Sequence, residues 1–328
     1  MTPRHILNTL SAILRSDNPQ TVHLYGPPGC GKTALCSQVA KATRLQALII
    51  ALPTCEAVDL RGMPQIVNGR TSWASPLPRD GEGVLVLDEV SSAAPDVQVA
   101  AHHLAWREVG SDMCLPPGWR VVMTGNRAQD RTVYRSMSGP LRNRVTLIEV
   151  EPSPDDWRVW AMANGIKPDV TGFIKWRPNL LTCKEIPQEG AFPSPRAWAQ
   201  ASTLLSLSGL SAAEEKELMA GTVGTGEATE FCAYLRLCRE LPDILKIVAN
   251  QDTAEVPTSP SVLYALVTSL SMHTRSTGES AMLYVSRMPA EMGLLYVRDI
   301  RDYYDLKTDQ HIRKWIGQHK SMFKDDDA

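Results

Sequence analysis

The stretch "YGPPGCGKT", Tyr25 to Thr33, carries the spacing G-x-x-x-x-G-K-[ST] in full. Gly26, Gly29 and Gly31 let backbone N–H groups turn inward around phosphate oxygens, with Pro27, Pro28 and Cys30 completing the loop. Lys32 reaches the β and γ phosphates, and Thr33 offers its hydroxyl to Mg2+. Ala34 continues a helix whose N-terminus adds partial positive charge. A chance Gly/Pro turn before a helix is the competing reading. A strand before the loop and a helix after it are the context the motif needs. A second stretch, "VLVLDEV" (84–90), ends four apolar residues in Asp88 and Glu89. At the C-terminal edge of a buried strand, Asp88 suits the hydration shell of Mg2+ and Glu89 suits deprotonation of a water. Alone, two acids after a strand are a solvated turn; beside a phosphate loop they favour hydrolysis over mere binding. In a third, "VVMTGN" (121–126), Asn126 is positioned to hydrogen-bond an attacking water and a γ-phosphate oxygen. A plain Gly-Asn turn is the alternative there.

These residues need strand ends that converge. Five short apolar runs are strand candidates: "TVHLY" (21–25), "LQALIIAL" (45–52), "GVLVLDEV" (83–90), "WRVVMTGN" (119–126) and "VTLIEV" (145–150). Several are continuous rather than alternating, as strands buried on both faces are. Helical patterns lie between them, clearest at Lys32–Thr43 and at 95–109, where Pro95 suits a first turn. Alternating β and α elements imply an α/β fold with a five-stranded parallel sheet covered by helices. After Glu151 the strand signals fade. "SPDDWRVWAMANG", "SPRAWAQASTLLSL", "SAAEEKELMAGTVG" and "EATEFCAYLRLCREL" read as helices with Ser-type starts and Gly ends. The break "EVEPSPDD" (149–156) is the expected boundary between domains 1–151 and 152–328. Residues from about 250 onward are expected to be helical, and "KSMFKDDDA" a frayed end.

Composition narrows the function classes. At about 150 residues per domain, 328 residues suggest two. Hydrophobic residues at 43% and charged residues at 21% suit a globular protein. A net charge of −2 supplies no global positive field for nucleic acid or anionic lipid. Seven cysteines, at 30, 36, 55, 114, 183, 232 and 238, form no C-x-x-C pair, so zinc is disfavoured and reduced thiols are expected. No run has a signal-peptide core or a membrane span, and a cytoplasmic location is the expectation. His102 and His103 have no acidic or cysteine partner at metal-ligand spacing. Trp73, Trp106, Trp157, Trp160 and Trp198 read as packing anchors. Cys30 would be oxidation-sensitive if loop dipoles stabilised its thiolate.

The order GPPGCGKT, VLVLDEV, TGN, "GPLRNRV" and "PSPRAWA" resembles AAA+ ATPases, and within them the MoxR-like group. "DLRG" (59–62) with "NGRTSWASPLPRDGEG" (68–83) looks like that group's insertion within the second core helix. "VGSDMCLPPGW" (109–119) looks like its hairpin. The resemblance is specific over about residues 15 to 210 and loosens to a lid-like pattern, "GTVGTGEATEFCAYL". It implies an AAA+ P-loop NTPase core, an all-α lid domain with a helical C-terminal extension, and Mg2+-dependent hydrolysis of ATP. It also implies a homo-oligomer closed as a hexameric ring, and a protein client or adaptor with a von Willebrand A domain. No "DxSxS" run occurs in this chain.

Two arginines gain roles by the same resemblance. Arg144 matches the arginine of the family's "L-x-x-R-F" pattern, although Val145 follows it here; Arg142 is the alternative. Delivered in trans, such a guanidinium neutralises charge building on the γ-phosphoryl oxygens, worth roughly 10³ to 10⁵ in turnover. A surface arginine capping a helix C-terminus is the bland alternative. Arg196 matches the sensor-2 position, contacting the γ-phosphate from the same subunit. The competing functions are a nucleic-acid motor or restriction-type translocase subunit, and a slowly hydrolysing scaffold. "NGRTSWASPLPRDG" offers little basic–aromatic interleaving for the former. Glu89, Asn126 and Arg144 argue against the latter.

Overall fold

A computed structural model describes residues 1–74, 77–105, 115–130, 134–239, 244–277, 279–301, 304–306 and 308–323. One compact unit comprises Met1–Trp157 with Lys184–Glu189 and Ser194–Arg196; the rest of the chain forms a second.

The first unit contains, in chain order, α1 (Pro3–Arg15), β1 (Val22–Tyr25), α2 (Lys32–Thr43), β2 (Gln46–Ala51), α3 (Ala57–Arg61), β3 (Met63–Val67), β4 (Arg70–Ala74), β5 (Gly83–Asp88), α4 (Pro95–Ala105), β6 (Trp119–Gly125), α5 (Gly139–Arg142) and β7 (Thr146–Glu149). The main sheet runs β2-β5-β6-β1-β7. All its pairings are parallel, with Leu87 beside Met123 and Tyr25 beside Gly125. This is the five-stranded α/β core expected from the sequence.

The continuous apolar runs follow from burial on both faces. Val84 and Val86 join α1 and α2 residues such as Leu10, Leu14, Leu35 and Val39 in one core layer. Their neighbours Leu85 and Leu87 join Val97, Ala101 and Leu104 of α4 in the other. Helix α1 fits its layer because Ile6, Leu10 and Leu14 recur every four residues on one face and are buried.

The segment expected as an insertion contains the antiparallel hairpin β3–β4, which follows the short helix α3. Its turn is Asn68-Gly69, with φ of 52° and 73°. Two successive left-handed residues make the type I′ turn that matches strand twist. The hairpin is largely exposed, Ile66 at 82%. Ser75 and Pro76 of the expected insertion lie outside the described residues, as do residues 106–114 of the expected hairpin and helix end, with Trp106 and Cys114.

The second unit is helical. It contains most of α6 (Pro154–Ala163) and of α8 (Pro195–Leu204). It also contains α7 (Pro168–Trp176), α9 (Ala212–Val223), α10 (Thr225–Arg239), α11 (Ile244–Ala249), α12 (Pro260–Thr277), α13 (Glu279–Val285), α14 (Ala290–Ile300) and α15 (Gln310–Gln318). Ser211 and Glu214 form a capping box at α9, and Gly224 ends it at φ 99°. Phe173, Trp198, Phe231 and Tyr234 cluster, with Phe173 at 5.0 to 5.5 Å from the other rings. Asp299 receives both Arg158 and Lys175 in a buried ion group. Trp157 and Trp198 are buried, whereas Trp73 and Trp160 are partly so. Of the expected frayed end, Lys320–Phe323 form a 3-10 turn and residues 324–328 lie outside the described set. Among the described residues, no helix is long and apolar enough to cross a membrane.

Candidate functional site

Parallel pairing brings the C-terminal ends of β1, β5 and β6 side by side, and the residues singled out by type and spacing stand there. The phosphate-type loop leaves β1 and enters α2 at Gly31, whose φ is 94°. Gly29 also takes a left-handed φ of 73°, and a Cβ there would lie 2.7 Å from Ser194 Oγ. The loop therefore needs glycine for both conformation and space. Arg196 donates its backbone N–H to Gly29 O at 3.2 Å, which puts the start of α8 against the loop while the Arg196 side chain stays exposed.

Lys32 is buried, and its Nζ donates to Gly26 O at 2.9 Å, Pro27 O at 2.9 Å and Asn126 Oδ1 at 3.1 Å. Burial pulls its ammonium below the usual lysine range, against the opposing pull of Cys30, Asp130, Asp88 and Glu89. Asn126 is thus joined to the loop lysine across two strands. Its backbone N–H donates to Ser91 Oγ at 2.8 Å.

Thr33 Oγ1 donates to Asp88 Oδ1 at 2.7 Å. Thr124 Oγ1 donates to the same carboxylate oxygen and accepts the Glu89 N–H at 3.0 Å. The β5–β6 register explains the pairing, because Leu87 beside Met123 carries Asp88 alongside Thr124. Glu89 is exposed and holds a left-handed φ of 58°. For a residue other than Gly or Asn this conformation costs about 1–2 kcal/mol, and such strain gathers at functional turns.

Cys30 departs from its sequence expectation. Burial pushes its thiol up, outweighing the Lys32 ammonium and the backbone donors, so the loop does not stabilise a thiolate. Arg144 lies between α5 and β7. Its Nη1 donates to Pro140 O at 3.0 Å and sits 3.1 Å from His102 Nε2. His102 is a partner of that arginine, and His103 is exposed. Arg142 is exposed at the end of α5.

Four contributors escaped the sequence reading. Thr124 lay inside a quoted motif without being singled out. Ser91 and His23 carry no spacing signal. Arg127 grips Asp130 through Nε and Nη2, at 3.0 and 2.7 Å to Oδ1, and reaches Glu149 at 3.2 Å, bracing the loop that follows Asn126. Among the described residues no cluster of three or more His, Cys, Asp or Glu could hold a metal ion.

Residues 21–145 match the AAA domain family, dynein-related subfamily. The match covers 125 of the 328 residues. The sheet order and flanking helices are those of an AAA+ P-loop NTPase core, followed by a helical part. No curated protein matches the chain. Among solved structures, a mutant of Thermotoga maritima RuvB aligns at 17% identity over 87% of this chain and 88% of that one, with a TM-score of 0.43. The Thermotoga maritima RuvB Holliday junction branch migration motor aligns at 18% over 86% of each chain, with a TM-score of 0.39. Likeness that loose carries no argument about function.

Proposed function

We propose that the chain hydrolyses ATP with Mg2+ in a closed, six-membered ring of like subunits and uses the cycle to remodel a partner protein. The observation that carries the reading is the convergence on one strand-end crevice of a lysine joined to Asn126 and a threonine joined to Asp88, with Glu89 alongside. The preference for ATP, the ring and a von Willebrand A domain adaptor rest on the MoxR-like resemblance.

Phosphate oxygens take over the Lys32 ammonium from the Gly26 and Pro27 carbonyls, an exchange of like hydrogen bonds within a low-dielectric loop. Gly31 and the first N–H groups of α2 turn toward the same oxygens. Thr33 Oγ1 and Asp88 Oδ1, 2.7 Å apart, are hard oxygen donors suited to Mg2+, which keeps several waters and leans on one or two protein oxygens plus phosphates. When bound there, the ion neutralises charge on the β and γ oxygens. Glu89 takes a proton from a water, the water oxygen attacks the γ-phosphorus, and the bridging oxygen leaves with ADP. Asn126, held by Lys32 and Ser91, orients that water. Arg144 from a neighbouring copy meets the γ-phosphoryl oxygens, and Arg196 meets them from the same chain.

Two variants test this reading by nucleotide-binding titration and phosphate release. Lys32→Ala is expected to lose ATP binding. Glu89→Gln is expected to bind ATP at near wild-type affinity while turnover falls at least 100-fold. Tight binding by the first or normal turnover by the second overturns it. Captured on Glu89→Gln loaded with ATP, a protein carrying a metal-ion-dependent adhesion site supports the adaptor. Nuclease-sensitive material alone overturns protein remodelling.

A further inference from the structure

His23, at the centre of β1, has no part in the chemistry above, yet it is only 4% exposed and neither ring nitrogen has a hydrogen-bond partner among the described residues. A buried imidazole in that state lowers stability, so packing alone does not account for it. Its surroundings point to the strand-end machinery. Tyr25 pairs with Gly125 across β1 and β6. His23 Nε2 would lie 2.6 Å from a Cβ on Gly125, and Ser91 Oγ would lie 3.3 Å from the same point. Both polar atoms border the space that a side chain on Gly125 would fill.

Their hydrogen-bonding needs are complementary. Ser91 Oγ accepts the Asn126 N–H at 2.8 Å, and its own proton has no acceptor among the described residues. The imidazole is neutral near pH 7, its pKa lowered to about 4 by burial and then by the Lys32 charge. One ring nitrogen is therefore an acceptor.

We propose that His23 is a positioning residue for hydrolysis: Nε2 accepts the Ser91 hydroxyl proton through one buried water, and so holds the Ser91 oxygen on the Asn126 N–H. The proton of the ring then sits on Nδ1. With its backbone fixed, Asn126 keeps its side chain on Lys32, ready for the water and γ-phosphate. The proposal rests on the hydrolase reading of the site, and it adds a third layer beneath it, in the order His23, Ser91, Asn126.

The test compares His23→Leu, close in size and without polar atoms, with His23→Gln, whose amide reaches the Nε2 position. Amide hydrogen exchange at Asn126 is read without nucleotide, alongside kcat, KM for ATP and Tm. His23→Leu is expected to speed Asn126 exchange about tenfold and lower kcat about tenfold, with KM within twofold and Tm unchanged or raised. His23→Gln is expected to restore most of both. Wild-type Asn126 exchange and kcat in His23→Leu would overturn the proposal. So would a fall in Tm with uniformly faster exchange along β1 and β6, which marks a packing role only. If His23→Leu fails to fold, His23→Asn stands in, since its shorter amide falls short of Ser91; equal behaviour of Asn and Gln variants would overturn the relay. A wild-type chain that turns over no nucleotide would sink the hydrolase reading instead, while Asn126 exchange still decides the relay.

Discussion

Single residues in this protein do work that their type alone does not announce. Lys32, Thr33, Asp88, Glu89 and Asn126 were legible as candidates because motif spacing marks them, and the fold gathers them at adjacent strand ends. His23 was not, because a histidine inside an apolar strand looks like any core residue until its neighbours are known. It leaves a signature in acid. Its pKa falls from 6.5 to about 4 on folding, so the unfolded chain binds the proton more readily. The stability gained by keeping the ring neutral is fully present above pH 6.5 and is lost as pH falls toward 4. At pH 5 the loss from this ring is about 2 kcal/mol. Denaturant titrations at pH 7 and pH 5 are expected to show that share in the wild type and not in His23→Leu. Equal pH dependence in both would mean that the ring titrates normally.

At the scale of elements, the site depends on register. Thr124 reaches Asp88 and the Glu89 N–H only because β5 and β6 pair with Leu87 beside Met123. Thr124→Val keeps the shape and removes the hydroxyl, leaving the Glu89 N–H without its partner. Thermal and denaturant unfolding are expected to show a loss of about 1–2 kcal/mol, and phosphate release a turnover about tenfold lower. Unchanged turnover would uncouple Thr124 from the turn at Glu89. Strands β1, β5 and β6 were readable because strands buried on both faces are continuous apolar runs. The edge strands β2 and β7 carried apolar runs although they are largely exposed. Helices α9 and α10 were readable from the Ser211 cap and from Gly224. The hairpin β3–β4 was not recognised, although Asn68-Gly69 is a strong turn signal, because its strands "MPQIV" and "RTSWA" are short, exposed and only weakly alternating. Helix α7 was missed because Pro168 and Gly172 break its helical pattern, yet Pro168 opens the helix. A side chain on Gly172 would meet the Tyr234 hydroxyl at 2.5 Å, so that glycine serves packing rather than a turn.

For the molecule as a whole, the ring proposal makes activity a property of pairs. Arg144→Ala and Lys32→Ala spoil opposite sides of one composite site, so mixing the two inactive variants is expected to regain up to about a quarter of wild-type phosphate release at equal ratio. No recovery at any ratio, with wild-type activity independent of dilution, would confine Arg144 to its own chain, where Pro140 and His102 already engage it. The unit that carries the nucleotide loop is also discontinuous in sequence, because Ser194–Arg196 belong to it and Arg196 bonds Gly29. During synthesis, at about 5–20 residues per second, the loop leaves the ribosome roughly ten to thirty seconds before its last wall exists. A nascent chain halted soon after Trp157 would carry Lys32, Thr33, Asp88, Glu89 and Asn126 and still lack Arg196 and the segment that closes against Gly29. The time at which a growing chain first completes the proposed nucleotide loop therefore follows Ser194, not Lys32.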